Sequence, residues 1–327
     1  MNESKFGRRS LLISAVSAFL LMTPYAADAE EAYPTQLITF VCAFPAGSGA
    51  DVMVRYFGNK IQRLTGQTVV VENKPGASGN IAAEYTARSK PDGYTVYIHS
   101  GTTTAANMSM FLKPPIDPSK DLRGVAFVSQ LSMMVGVKVD SPFKDMKDLT
   151  AYLKEKGTDA SFSTNSASGK IVGAVYLKEA KIDPTEISYK SAGDALNDMD
   201  SGIIDFGIFD PVTALANVRS GRIKVVGIAN GTRMKSAPDL PTMKEAGLDI
   251  NLDNWWAAFV AADTPEPIVN KLNELFRQVV EMPETVKFLA DSGMDPYNGT
   301  PEEVQDRLTS EIGVQKALVE LAQIPKN

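Results

Sequence analysis

The residues of this chain best suited by type and spacing to do chemistry gather at one stretch, "FVCAFPAGSGADVMVRYF" (40–57). An apolar run reaches Phe44, Gly47-Ser48-Gly49 break it, and a helical pattern opens near Ala50. A glycine turn between a strand and a helix N-terminus offers backbone N–H groups and a positive dipole end to an anion. One candidate anion is a dinucleotide's pyrophosphate, because Gly47 and Gly49 supply G-x-G and Glu72 ends the next strand, where a ribose-binding acid belongs. Two residues oppose it. Val52 stands at the third glycine position and would crowd helix against strand, and Asp51 in the first helical turn repels a pyrophosphate. The other readings are a smaller anion or a tight turn with no ligand. Elsewhere the means for chemistry are scarce. The chain has one cysteine, Cys42, and one histidine, His99. Zinc sites of the usual N/S ligands are thereby disfavoured. Nucleophilic catalysis would rest on His99 alone, at the end of a strand next to the third turn. Cys42, alone within an apolar run, reads as a buried and inert thiol. No metal or cofactor is expected.

Alternating strands and helices must position these turns. "LITFVCAF" (37–44), "TVVVEN" (68–73) and "YTVYIHS" (94–100) read as strands, with helical spacing between them, so the first third is a βαβαβ unit. Asn80 is placed to cap the helix over 81–89. "VAFVSQLSMMVGVKV" (125–139) reads as a long β-like run that could cross between domains. A second alternating unit follows through "IKVVGIA" (223–229), and the tail from Glu266 reads as amphipathic helices. Polar turns like the first recur at 76–80, 100–104 and 163–169, each after a strand. In open α/β sheets ligands bind at that edge. Several such turns around one cleft would present N–H and hydroxyl donors to a carboxylate, each bond to a charged group being worth about 1.5–3 kcal/mol.

The first residues read as an export signal. Lys5, Arg8 and Arg9 form a basic region, Leu11 to Met22 an apolar core, and Ala27-Asp28-Ala29 an A-x-A site, so cleavage is expected after about Ala29. Arg8-Arg9 leaves Sec and twin-arginine export both open. The apolar core is shorter than the roughly 20 residues a spanning helix needs. No long apolar run follows, so the mature chain is expected not to enter a membrane. The formal net charge of −6, without a Lys/Arg cluster, argues against nucleic acid as a partner.

"FPAGSGADVMVR", "VVVENKPGASGNIAAE", "KPDGYTVYI", "AANMSMF", "SYKSAGDALNDMDSGIIDFGIFD" and "SAPDLPTMKEAG" together resemble the Bug (TctC-like) receptors of tripartite tricarboxylate transporters. The resemblance runs over nearly all of residues 34–311. It implies an α/β fold, a two-lobe periplasmic binding protein of the type II, Venus-flytrap kind, with mainly parallel sheets flanked by helices. The implied division is a signal peptide at 1–29, the first part of lobe 1 at 30–131, lobe 2 at 132–250, and a return to lobe 1 with C-terminal helices at 251–327. Implied ligand contacts in the first lobe are Phe44, Pro45, Ala46, Gly47, Ser48 and Gly49, then Ser78, Gly79 and Asn80, then Gly101, Thr102 and Thr103. The second lobe would add Ser163, Thr164, Asn165, Ser166 and Ser168, with Phe209 and Asp210. Asp210 can instead cap the next helix, as Pro211 suggests, and Asp51 and Arg55 read as scaffold. Trp255 and Trp256 read as core or hinge packing. The chain departs from the family where Ser48 replaces a glycine and Lys170 stands in place of a histidine. The function implied is a periplasmic, monomeric, non-enzymatic receptor that carries a di-, tri- or aromatic carboxylate to membrane permease subunits. An exported enzyme acting on small acids, with His99 as base, and a receptor for two-component sensing remain the alternatives.

Overall fold

The computed structural model describes residue 1, residues 33–189 and residues 191–326. Apart from Met1, the expected signal peptide lies outside the described residues. The chain runs β1 (Ile38–Cys42), α1 (Gly49–Thr65), β2 (Val69–Asn73), α2 (Asn80–Ala87), β3 (Thr95–Ser100) and α3 (Gly101–Met110), then α4 (Pro118–Asp121) and β4 (Leu122–Ser132). The second alternating stretch is β5 (Met134–Lys138), α5 (Met146–Lys156), β6 (Ser161–Thr164), α6 (Ala167–Ala180), β7 (Thr185–Ser188), α7 (Ala192–Asp200), β8 (Phe206–Phe209), α8 (Pro211–Arg219) and β9 (Ile223–Ile228). The chain ends with β10 (Asp253–Ala261), α9 (Glu266–Glu281), α10 (Pro283–Asp291), β11 (Met294–Pro296) and α11 (Pro301–Leu321).

Two sheets result, ordered β11-β4-β10-β3-β1-β2 and β7-β6-β8-β5-β9. The β-like run at 125–139 falls in two strands, β4 and β5, and crosses between the sheets as expected. It leaves the first sheet at Ser132 and enters the second at Met134. Both sheets are mixed rather than mainly parallel. β1 pairs parallel with β2 and β3, and β6 with β7 and β8, whereas β10 runs antiparallel to β3 and β4, and β5 to β8 and β9. The direction follows from the crossing. Strands of the βαβ units end at the face shared by the sheets, so β5 and β10, which arrive from the other sheet, start there and run away from it.

Burial on both faces explains the near-continuous apolar strands. Phe40, Phe57, Trp256 and Phe276 pack on one face of the first sheet, and Val41, Tyr97, Trp255 and Phe259 on the other. The adjacent tryptophans therefore point to opposite faces of β10, as strand alternation requires. In α9, Val269, Leu272, Phe276 and Val280 recur at three and four residues and lie in the core. The second sheet has its own cores, around Phe162, Tyr176 and Phe206 on one side and Met199, Phe209 and Ile223 on the other.

Candidate functional site

The first turn holds an anion of its own. Ser48 caps α1, its Oγ accepting from the Asp51 N–H at 3.2 Å. Asp51 is only 2% exposed, and its carboxylate accepts from Gly47 N (2.9 Å), Arg55 Nε (2.9 Å) and Asn73 Nδ2 (2.7 Å). Gly47 turns toward it with φ +82°, a conformation that favours glycine. Burial by itself would raise the Asp51 carboxyl; the hydrogen bonds from Arg55, Asn73 and Gly47 outweigh it and lower the pKa to about 2. A pyrophosphate would have to share this turn with a buried carboxylate, which disposes of the dinucleotide reading. Asp51 and Arg55 thus act as scaffold. Phe44, Pro45, Ala46, Gly47 and Gly49 remain exposed, and the Phe44 ring lies over His99 (5.4 Å between centroids) and Trp256 (6.0 Å).

The second turn is strained and uncapped. Gly76, Ala77, Ser78 and Gly79 all have positive φ (128°, 46°, 52° and 92°), although two of them carry side chains. The N-cap of α2 is Gly79, with no side-chain cap bond; Asn80, expected to cap, is instead the first helical residue. Its Oδ1 accepts from Asn107 Nδ2 (2.9 Å), which also donates to Ser78 O (3.0 Å). Asn80 Nδ2 is buried and unpartnered. Gly79 N donates to Gly76 O (3.0 Å) and Asn80 N to Ala77 O, so the turn satisfies these two N–H groups itself, and the α2 dipole adds positive potential beyond them. A Cβ at Gly79 would stand 2.8 Å from Tyr97 Oη, so this position must be glycine on space as well as on φ.

The third turn joins the sheets. Ser100 caps α3 by accepting from Thr103 N (3.0 Å) and donates to Asn254 Oδ1 (2.8 Å). Asn254 Nδ2 donates to Ser168 Oγ (3.0 Å), which lies 3.3 Å from Thr103 Oγ1. Gly101 lies flat against Trp255, where a Cβ would fall 2.1 Å from the ring. Thr102 is buried and its hydroxyl has no partner. Trp255 is wholly buried, in keeping with a packing role.

In the second sheet Ser166 caps α6, accepting from Gly169 N at 3.1 Å, and Asn165 is half-buried beside it. The Ser163 hydroxyl is buried and unpartnered, Thr164 Oγ1 donates to Glu186, and Lys170 Nζ lies 3.6 Å from the same carboxylate. Asp210 caps α8: its carboxylate accepts from Thr213 N (2.9 Å) and Thr213 Oγ1 (2.7 Å). Phe209 packs into the core, so only its backbone could face a ligand. Across the gap Gly49 meets Val212, whose Cγ1 would be 3.2 Å from a Cβ there.

His99 is 1% exposed, and its Nδ1 lies 3.1 Å from Ser100 O. A carbonyl only accepts, so Nδ1 carries the proton. Burial outweighs that bond and lowers the pKa to about 4, leaving a neutral ring stacked between Tyr97 and Phe44. It is poorly placed to be a base. Asn107, Val212 and Asn254 hold or face the turns, and nothing in local spacing marks them, since their partners lie far away in the chain.

Two sheet-based lobes, joined by crossing strands and facing each other across helix N-termini, define a periplasmic solute-binding protein. A family model described as "Tripartite tricarboxylate transporter family receptor" matches residues 53–323, and the chain belongs to that family. Its fold and family are those of solute-binding receptors. Protein BugT of Bordetella pertussis is 26% identical over 306 residues, 92% of this chain and 94% of that protein. The structure of MatC from Rhodopseudomonas palustris with bound malate is 26% identical, with a TM-score of 0.76 over 88% of this chain and all of that one. R. palustris Rpa4515 with adipate shares the fold, with a TM-score of 0.83 over 90% of this chain and all of that one, at 24% identity. Among the described residues no helix is long and apolar enough to cross a membrane.

Proposed function

We propose that this protein is an extracytoplasmic receptor that captures a small carboxylate between its lobes and delivers it to the permease subunits of a tripartite tricarboxylate-type transporter, with no chemistry of its own. The observation that carries the reading is the α2 N-terminus, where a strained turn presents an uncapped helix end. Backbone held at a cost in a sparsely populated conformation is characteristic of ligand clamps. One ligand carboxylate sits at Ser78-Gly79-Asn80, helped by the exposed first turn; the Ser/Thr/Asn donors of 163–168 and Thr103 take the distal end. Phe209 and Asp210 contribute backbone only. The malate bound by MatC, which shares 26% identity, supports a dicarboxylate. The chain acts as a monomer in the periplasm, after cleavage near Ala29.

A thermal-shift panel of mono-, di- and tricarboxylates, aliphatic and aromatic, tests this. A ligand at 100 times its Kd adds about 2.7 kcal/mol of stability. A panel in which no carboxylate raises the melting temperature would overturn the reading. Turnover of any of these acids, lost in His99→Ala, would favour an enzyme instead. Cross-linking in cells separates uptake from sensing by whether a permease or a sensor kinase is captured.

A further inference from the structure

Behind the crossing strands lies a cavity of about 220 Å³ that none of the turns at 44–49, 78–80 or 209–210 lines. Its apolar walls come from Met133, Ile171, Val172, Leu252 and Leu318. Ser168 and Asn254, tied to Thr103 and Ser100, close one side. Thr102 and Ser168, both expected as cleft contacts, also belong to this lining, whereas Gln315 and Glu311 belong to it alone. Gln315, 3% exposed, donates through Nε2 to Glu311 Oε1 at 2.7 Å. A carboxylate only accepts, so the amide orientation is fixed and Gln315 Oε1 is left as a buried acceptor without a donor. Thr102, 6% exposed, adds a hydroxyl without a partner. Glu311 accepts from Trp255 Nε1 at 3.4 Å, and no Lys or Arg among the described residues pairs with it. Asp253, also in the lining, is already neutralised by Arg307.

We propose that this cavity is a second ligand site, for a small primary ammonium on a short aliphatic chain. Glu311 supplies the countercharge, Gln315 Oε1 and the Thr102 hydroxyl accept the remaining N–H bonds, and the apolar walls take the chain. Buried acceptors without donors are costly, and a ligand that donates to them removes that cost. An apolar cavity of about 150 Å³ takes benzene, so this one has room for about five carbons. The site excludes carboxylates by charge. Its walls come from α6 on one side and α3 and α11 on the other, so an occupant favours this arrangement of the lobes.

Titration of the purified protein with n-pentylammonium chloride, at constant ionic strength, tests the site by calorimetry and by tryptophan emission. Trp255 reports because its indole N–H is bonded to Glu311. The expected result is saturable one-to-one binding, at least tenfold tighter than that of n-pentanol and weakened at least tenfold in Glu311→Gln. Ile171→Phe, which fills the cavity without touching Glu311, is expected to abolish it, with urea midpoints showing that both variants fold. Absence of saturable binding, equal affinity for n-pentanol, or full affinity in folded Glu311→Gln or Ile171→Phe would each overturn the proposal.

Discussion

At the scale of the residue, the glycine turn after β1 changes meaning once Asp51 is placed. The turn satisfies part of its anion-binding capacity with its own carboxylate, so under the proposed function a ligand would meet a pre-shaped loop. Ser48→Asp tests how near the ligand comes. Asp caps a helix as well as Ser does, so the fold should persist. A like charge at the cleft should cost several kcal/mol, reducing carboxylate affinity about a hundredfold or more in calorimetry. Near-normal affinity would remove the first turn from the site. His99 gives a pH signature. Its pKa falls from 6.5 to about 4 on folding, so above pH 6.5 both states are neutral and stability is complete. As pH falls from 6.5 to 4 only the unfolded chain takes up the proton, and stability falls by something on the order of 3 kcal/mol. Asp51 acts in a lower window, its contribution being lost as pH drops from about 4 toward 2. Urea unfolding between pH 7 and pH 4 should show a slope that His99→Gln removes, and an equal slope in both proteins would refute the assignment.

At the scale of the element, the turns depend on what packs behind them. Gly101 opens α3 with the Trp255 ring on its Cα face, and an added Cβ would fall 2.1 Å from that ring. Gly101→Ala must therefore displace a buried indole on β10 or shift α3. Overpacking of this kind costs about 1–3 kcal/mol. The expected outcome is a lower urea midpoint with altered Trp255 emission; an unchanged midpoint would mean that β10 yields freely. This dependence also marks where the sequence stops being readable. The strands and polar turns of both α/β units are legible because apolar runs and Gly/Ser/Asn breaks are local signals. Met133, where one apolar run leaves the first sheet for the second, is invisible because both halves are equally apolar. The antiparallel return of β10 beside β3 brings Asn254 to Ser100, a partner 154 residues away, and no spacing rule reaches that far. The cap of α2 is hidden from the sequence for a subtler reason. Asn80 belongs to a good capping type, but Asn107 claims its side chain and leaves Gly79 at the cap.

At the scale of the molecule, the proposed function depends on the two lobes meeting, and Gly49 and Val212 are where they come together. A Cβ at Gly49 would lie 3.2 Å from Val212 Cγ1, and Val212, half-buried at the start of α8, packs against the core of the first sheet. The Gly49 backbone conformation is one any residue adopts, so a side chain here tests closure with little effect on each lobe's folding. Gly49→Leu would place its bulk where Val212 must sit. A ligand shifts the open–closed equilibrium only by its differential affinity for the two states, and a propped seam removes the second lobe's contribution. Small-angle scattering should therefore show the wild-type radius of gyration shrinking when a saturating carboxylate is added. The Gly49→Leu protein should keep its open value, keep its urea midpoint without ligand, and bind about tenfold or more weakly, the loss of roughly one charge-assisted hydrogen bond. If the variant contracts and binds as the wild type does, the Gly49–Val212 contact is not part of the closing seam, and closure must run through the Thr103–Ser168–Asn254 hydrogen bonds alone.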